Sequence, residues 1–456
     1  MTASEILANF CLEQQLTSIP NDVKAMAKSV IVDTVGVATY GSQFPWSQAI
    51  AKYATAVGSG GSSRVFGMAN TRLNASAAAL ANGSFTHAFE QDSLRKPGAG
   101  VHPGATIVAP AWSVAEELGA TGSELMHAVI IACEVMFRIG AASLHTSEKK
   151  GFHAPGLTGP YGSAIAAGIL MKLNPSQLSA ALGIAGSMSA GLLAFTKANK
   201  GADVKRLHLG RAAEAGIVAA RLAKEGLEGP ENILEGHFGF LESYCSNSNP
   251  ELLTKDLGSA WETQKICLKA FPCHVTSHTT IESLRILMQE HSFTAAEVSK
   301  IDVEVSDKVL SHHVIRQPSD VKQAQYSLPF CVAWALYRDP YQPENMNESI
   351  LTDAFITKMS QAMTLTPFIT PNKNNTAWSS LLKITLQSGK VIERWSDEFT
   401  GSPTKPLTGA GLKNRFFQLT GQGSLVTKEL WWDSLNELEQ VSRLGSLPDL
   451  IYLKKV

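Results

Sequence analysis

The sequence predicts a mostly α protein: a large all-helical domain plus a smaller α+β lid domain. Three observations carry that prediction. The chain to about Trp261 reads as helices joined by short polar turns, strand-like alternation is confined to the stretch after Lys269, and the pattern returns to helix before the end. In order, Pro20-Asn21-Asp22 precedes VKAMAKSVIVDTVGVATYG, whose apolar residues recur at helical spacing up to Gly41. Four Ala- and Gly-rich helical segments follow: ASAAALANGSFTHAF, ATIVAPAWSVAEELGA, YGSAIAAGILMKL and QLSAALGIAGSMSAGLLAF. Gly inside a helix costs about 1 kcal/mol relative to Ala, so its repetition points to close packing or to a ligand approaching the backbone. KIDVEVS (300–306) alternates as a strand does, and SLLKITLQSGKVIERW (380–395) reads as two strands around a Gln-Ser-Gly-Lys turn. Helical patterns lie between them in SLPFCVAWALYR and ESILTDAFITKMSQAM, and again in the tail at LTGAGLKNRFFQLTG and WWDSLNELEQVSRL. A helical tail after an α+β insert predicts a discontinuous main domain, residues 1–266 and 405–456, with the lid at 267–404.

Composition narrows the function classes. A chain of 456 residues is too long for one simple core. Its 39 Lys+Arg against 40 Asp+Glu leave no electrostatic footprint for nucleic acid or an anionic membrane, so any anion handling is local. At 44% hydrophobic residues it can build a sizeable core. The six cysteines form no CxxC pair, which fits reduced thiols better than a disulfide frame or a zinc site. The N-terminus lacks the pattern of a signal peptide, and no apolar run is read as long enough to cross a bilayer. The expectation is a soluble, cytoplasmic protein.

Motifs for common cofactors are weak. VGSGGSSRVFG (57–67) is Gly-rich, but no Gly-Lys-Ser/Thr follows, and it reads as a flexible turn. Rossmann, HExxH and GxSxG patterns are missing from the sequence. The histidines say more. His102 (GVHPGAT), His153 (GFHAPG), His208 (RLHLG) and His274 (FPCHV) each sit near Pro or Gly at the edge of a helical pattern. Loops at helix ends concentrate catalytic groups, and helix N-termini suit carboxylates. A single loop histidine is more often a cap or a hydrogen-bonded core residue; the recurrence is the signal. The stretch HAFEQDSLRKPGAGVHPGA (87–105) adds Glu90, Asp92, Arg95 and Lys96 beside His102, as a pocket for an anionic substrate would. Histidine spacings do not favour a zinc site, and no metal is expected.

These segments, with GFHAPGLTGPYGSAIAAG, VKRLHLGRAAEAGIVAARLAKEGLEGPENILEGHFGFL, LKAFPCHVTSH and YSLPFCVAWAL, resemble the MmgE/PrpD family over almost the whole length. The family's members include 2-methylcitrate dehydratase, cis-aconitate decarboxylase and iminodisuccinate epimerase. The resemblance implies an all-helical domain with an α+β lid, a pocket between them, a homodimer, a small polycarboxylate substrate and no cofactor. It matches His102, His153, Lys205, Lys269, His274, Glu90 and Asp92 to the family's pocket residues. It departs from the dehydratase-like pattern at Ser93 and Leu94, followed here by Arg95 and Lys96.

Among the family's activities the chain looks most like iminodisuccinate epimerase. The alternative is a dehydratase or decarboxylase acting on a tricarboxylate. The shared chemistry is proton removal or delivery at a carbon beside a carboxylate, which needs a poised base and groups that hold developing negative charge. His102 or His153 would serve one face and Lys205 the other. Glu90 and Asp92 would orient the bases or meet a secondary ammonium. Lys269, His274, Arg95, Lys96 and His208 would bind substrate, and Cys273 beside His274 offers a thiol as a further possibility.

Overall fold

Small residues decide how the helical body packs. In the computed structural model, which describes residues 1–198, 203–369 and 376–453, the Val204–Lys224 helix is flanked by the Ala154–Leu170 and Ala75–Thr86 helices. A Cβ on Gly210 would fall inside contact distance of the Leu80 carbonyl and Ser84 Oγ. One on Gly216 would do the same against Ser163 and the Pro160 carbonyl. Glycine thus brings the backbone carrying Lys205 and His208 close to the backbone carrying His153 and His87. The Asn21–Gly41 helix ends at Gly41 as the sequence predicts.

Several expectations need correction at the residue level. The 177–195 segment is two pieces: a helix Pro175–Ser187 and a 3-10 turn Leu193–Lys197, separated around Gly191, whose φ of +137° a side chain rarely adopts. The 348–363 segment likewise divides into a 3-10 turn Glu348–Thr352 and a helix Ala354–Ala362, because the Asp353 side chain caps the second. The Gly-rich 57–67 stretch is no free turn; Ser59–Arg64 is a strand paired antiparallel with Arg72–Leu73. The Gly122–Ala142 helix is long and apolar enough to cross a membrane, contrary to the sequence reading. Yet 89% of its apolar window is buried inside the protein. Its Glu134 carboxylate accepts from Glu262 N, Thr263 N and Thr263 Oγ1 at 2.7–2.8 Å.

The C-terminal region holds a mixed four-stranded sheet in the order Thr364–Pro367, Val298–Val305, Ser380–Leu386, Val391–Ser396. The first pair is parallel and the others antiparallel. Leu382, Ile384, Ile301, Val303 and Val305 point into a second apolar core shared with the His278–Glu290 and Leu328–Tyr337 helices. The tail rejoins the first core. Gly409–Leu419 lies on Asn21–Gly41, and Trp431 stacks on Trp112 with centroids 5.5 Å apart. Residues 454–456 of the proposed main domain lie outside the described residues.

A two-stranded clasp joins the bodies where it matters: Leu94–Arg95 pairs antiparallel with Ile266–Cys267. It brings the acidic turn of the 87–105 stretch alongside Lys269.

The helix crossing gives the first test. Gly216→Val should lower stability by about 1–3 kcal/mol through overpacking, read as a lower urea midpoint at unchanged slope. Gly445→Ala, where an added Cβ meets nothing within 4 Å, should change it by less than about 0.5 kcal/mol.

Candidate active site

The site is built around two buried carboxylates that follow the Ala75–Thr86 helix. His87 caps that helix's C-terminus, and Glu90 then takes a left-handed backbone conformation, φ +55°. This conformation is uncommon for a residue with a side chain, and it persists where the surroundings over-determine it. The determinants are here. The Glu90 carboxylate meets the Lys205 ammonium in a short contact, Lys269 Nζ at 3.2 Å, Arg206 Nη1 at 3.8 Å and the Tyr326 hydroxyl at 3.1 Å. Lys205 also lies 4.8 Å from the centre of the Tyr326 ring. Glu90 is 1% exposed and Lys269 2%.

Asp92, fully buried, holds a second group. Its Oδ2 is 2.8 Å from His87 Nδ1 and 2.7 Å from His102 Nδ1, and Lys269 Nζ stands 3.8 Å from Oδ1. An ionised carboxylate only accepts, so both rings donate from Nδ1, and a neutral ring then presents a bare Nε2. His87 Nε2 has no hydrogen-bond partner. The ligand atoms of His87, Asp92 and His102 lie within 4.8 Å of one another, so these are residues that could hold a metal ion. As they stand, the two Nδ1 atoms share one Asp92 oxygen at hydrogen-bond distance.

Two further histidine pairs flank these groups. His153 precedes the Ala154–Leu170 helix but does not cap it. Its Nδ1 instead lies 3.1 Å from His208 Nδ1, and its ring is 6.0 Å from that of His87. His274 stacks on His313 at 4.1 Å, with Tyr326 at 5.4 Å. His274 does act partly as a cap, its Nδ1 lying 2.9 Å from Thr276 Oγ1 and accepting from Thr276 N. The adjacent His312 points away from this stack: it is exposed, whereas His313 is buried.

Burial and charge set the protonation. Burial opposes ionisation of Glu90, but Lys205, Lys269 and Arg206 outweigh it and hold its carboxyl well below the usual range. Asp92 is likewise held well below, burial being overcome by His87 and His102. Burial pushes Lys205 down to about 8, with Arg206 and Lys269 adding to it against Glu90. For Lys269 burial loses to Glu90 and Asp92, and its pKa is raised. Burial keeps His87 (down to about 3), His153, His274 and His313 (down to about 4) neutral. Three cations thus surround two carboxylates, a net positive enclosure.

The structure brings Glu90, Asp92, His102, Lys205 and Lys269 into this cluster, with His153, His208 and His274 at its edges. Arg95 and Lys96 lie beside the cluster and not in it. Arg95 Nε is bound by Glu262 Oε2 at 2.7 Å and its Nη1 by the Pro97 carbonyl at 2.8 Å. Lys96 Nζ is held by Glu398 Oε1 and the Asp397 carbonyl, each at 2.6 Å. Both cations have their partners outside the cluster. Cys273 faces His278 Nδ1 at 3.8 Å. Sequence reasoning missed His87, Arg206, Tyr326 and His313. His87 opens the acidic stretch and Arg206 follows Lys205, so proximity could have flagged both; Tyr326 and His313 reach the site only through the lid's tertiary packing.

The MmgE/PrpD N-terminal domain matches residues 5–253, and the MmgE/PrpD C-terminal domain matches residues 271–429. The chain belongs to the MmgE/PrpD family. It is 26% identical over 444 residues to cis-aconitate decarboxylase of Homo sapiens, covering 93% of this chain and 87% of that protein. It is 29% identical over 327 residues to the cis-aconitate decarboxylase-like protein oryM of Aspergillus oryzae (strain ATCC 42149 / RIB 40), covering 67% of each. It is 32% identical over 288 residues to cis-aconitate decarboxylase of Aspergillus terreus (strain NIH 2624 / FGSC A1156), covering 60% of this chain and 57% of that protein.

Four neutral imidazoles, His87, His153 and His313 buried and His274 half-buried, give a sign for the pH dependence of stability. The unfolded chain protonates them near 6.5, whereas folded His313 waits until about 4 and His87 until about 3. Stability should therefore fall as pH drops below 6.5, by up to about 1.4 kcal/mol per pH unit for each imidazole. Glu90 and Asp92, with depressed values, add to the loss only below about 4.5. Urea unfolding between pH 7.5 and 5 should show a falling midpoint, with a shallower slope in His313→Asn; a flat wild-type profile would refute it.

Proposed function

We propose that this family member is a lyase that decarboxylates a small tricarboxylate of the cis-aconitate type without a bound cofactor. The observation that carries the proposal is the convergence of Lys205, Lys269 and Arg206 on one buried carboxylate, beside imidazoles oriented by Asp92. The donors around Glu90 are those a substrate carboxylate needs, and the net positive enclosure draws a polyanion in. The relatives named cis-aconitate decarboxylase support the same chemistry.

When the C–C bond to the leaving carboxylate breaks, its electrons pass onto the neighbouring carbon and into the adjoining carboxylate. Carbon dioxide departs, and the carbon takes up one proton. Lys205 and Lys269 hold the charge that accumulates on the remaining carboxylate, and a histidine delivers the proton. We assign delivery to His153, or to His102 once its Nε2 has taken up a proton while Asp92 holds its Nδ1 hydrogen.

The second reading is epimerisation of iminodisuccinate. One observation favours it: an ionised Glu90 stands among the cations, where it could pair with a secondary ammonium between substrate carboxylates. In that reaction the same groups remove and return a proton with no loss of mass.

Proton NMR in D2O separates the readings, with cis-aconitate, 2-methylcitrate and the iminodisuccinate stereoisomers supplied separately. Loss of carbon dioxide from cis-aconitate, with one deuterium in the product, is expected. Interconversion of iminodisuccinate stereoisomers alone would replace decarboxylation by epimerisation. No change in any acid would end the polycarboxylate proposal. His153→Ala, folded as judged by circular dichroism, should lose about 10²-fold or more in rate; an unchanged rate removes His153 from proton delivery.

A further inference from the structure

A decarboxylation consumes one proton per turnover, yet the site that would deliver it is shut. His153 is 5% exposed, and Glu90, Asp92 and His87 are at 1% or less. Two polar contacts lead outward, Asp92 to the partly exposed His102 at 2.7 Å and, from His153, the 3.1 Å approach of its Nδ1 to His208 Nδ1. His208 is half-buried and forms part of the wall of a cavity of about 460 Å³, with Gly156, Leu192, Phe195 and Arg211. The surrounding structure preserves this contact. A Cβ on Gly191 would come within 3.3 Å of His208 Nδ1 and 3.5 Å of His153 Cβ, and the Gly191 carbonyl accepts from His153 N at 3.0 Å. Phe195 sits edge-on to both rings, at 5.3 and 5.9 Å.

We propose that His208 is a proton relay, passing one proton per turnover between His153 and the solvent of this cavity. It rests on the reading of His153 as the group that delivers the proton. Two facing Nδ1 atoms at hydrogen-bond distance require that one carries hydrogen and the other accepts. In the resting pair His208 holds its proton on Nδ1 and offers it to a bare His153 Nδ1, while His153 holds its own proton on Nε2. His153 gives its Nε2 proton to the carbon and takes the bridging proton on Nδ1; His208 Nε2 takes one from water. Each ring ends neutral with its proton on the other nitrogen, the water that gave the proton is left as hydroxide, and exchange with water restores the first tautomers before the next turnover. The opposite sequence returns a proton to solvent, so the pair serves removal and delivery alike. Burial lowers the basicity of both rings, which keeps the pair neutral between transfers.

The test is chemical rescue. His208→Ala leaves space next to His153 that is continuous with the cavity wall. Its turnover on whichever acid the wild type converts should fall at least about 10-fold with KM within about twofold, and millimolar imidazole should restore it saturably. His208→Phe, which fills the space, should be equally slow and not rescued. A His208→Ala enzyme at wild-type rate overturns the relay, as does a slow one that imidazole leaves unchanged. If the wild type converts none of the acids, the polycarboxylate reading fails, and 15N-histidine NMR decides the relay separately. A bridging proton coupled to both Nδ1 atoms in the wild type and lost in His208→Ala supports it; a wild type without that coupling overturns it.

Discussion

The Glu90 carboxylate is the point on which the protein's two bodies agree. Lys205 and Arg206 reach it from the helical body, Lys269 from the segment entering the lid, and Tyr326 from the lid itself. Burying such an assembly is costly, and removing one partner leaves an uncompensated charge at a cost of several kcal/mol. An arrangement of this kind is weak evidence for stability. Its left-handed backbone and complete set of donors read better as a binding geometry kept at the expense of stability. The neighbouring Arg415–Asp33 pair, 2.7 Å apart, extends the same economy, since Arg415 also donates to the Gln91 carbonyl within the acidic turn.

Much of the fold was legible because its signals are local. The stop at Gly41, the 298–305 strand and the hairpin around Gly389 follow from periodicity and turn chemistry. The errors share a cause. Gly191 and Asp353 break segments whose apolar pattern runs on, because a backbone requirement or a capping bond outweighs periodicity at one residue. The 59–64 strand was hidden since Gly and Ser carry no strand signal; its partner at 72–73 and the body behind it supply the order.

The site divides the same way. His102, His153 and His274 were visible by their setting, and Lys205 and Lys269 by the family resemblance. The partners of Arg95 and Lys96 were not legible, because charge type and sequence proximity say nothing about Glu262 and Glu398, 167 and 302 residues away. Tyr326 escaped for the opposite reason: it looks like an ordinary packed residue until Glu90, 236 residues away, is placed against it.

The clasp between 94–95 and 266–267 has a mechanical consequence. Backbone hydrogen bonds there, with Lys96 N donating to the Lys265 carbonyl at 2.9 Å, tie the acidic turn to the strand that leads into Lys269. Glu90, Asp92 and Lys269 therefore travel as one piece. The same piece is fastened to the sheet-bearing region, with Lys96 on Glu398 and Leu268 N donating to the Gly401 carbonyl at 2.8 Å, so its spacing is held from both sides.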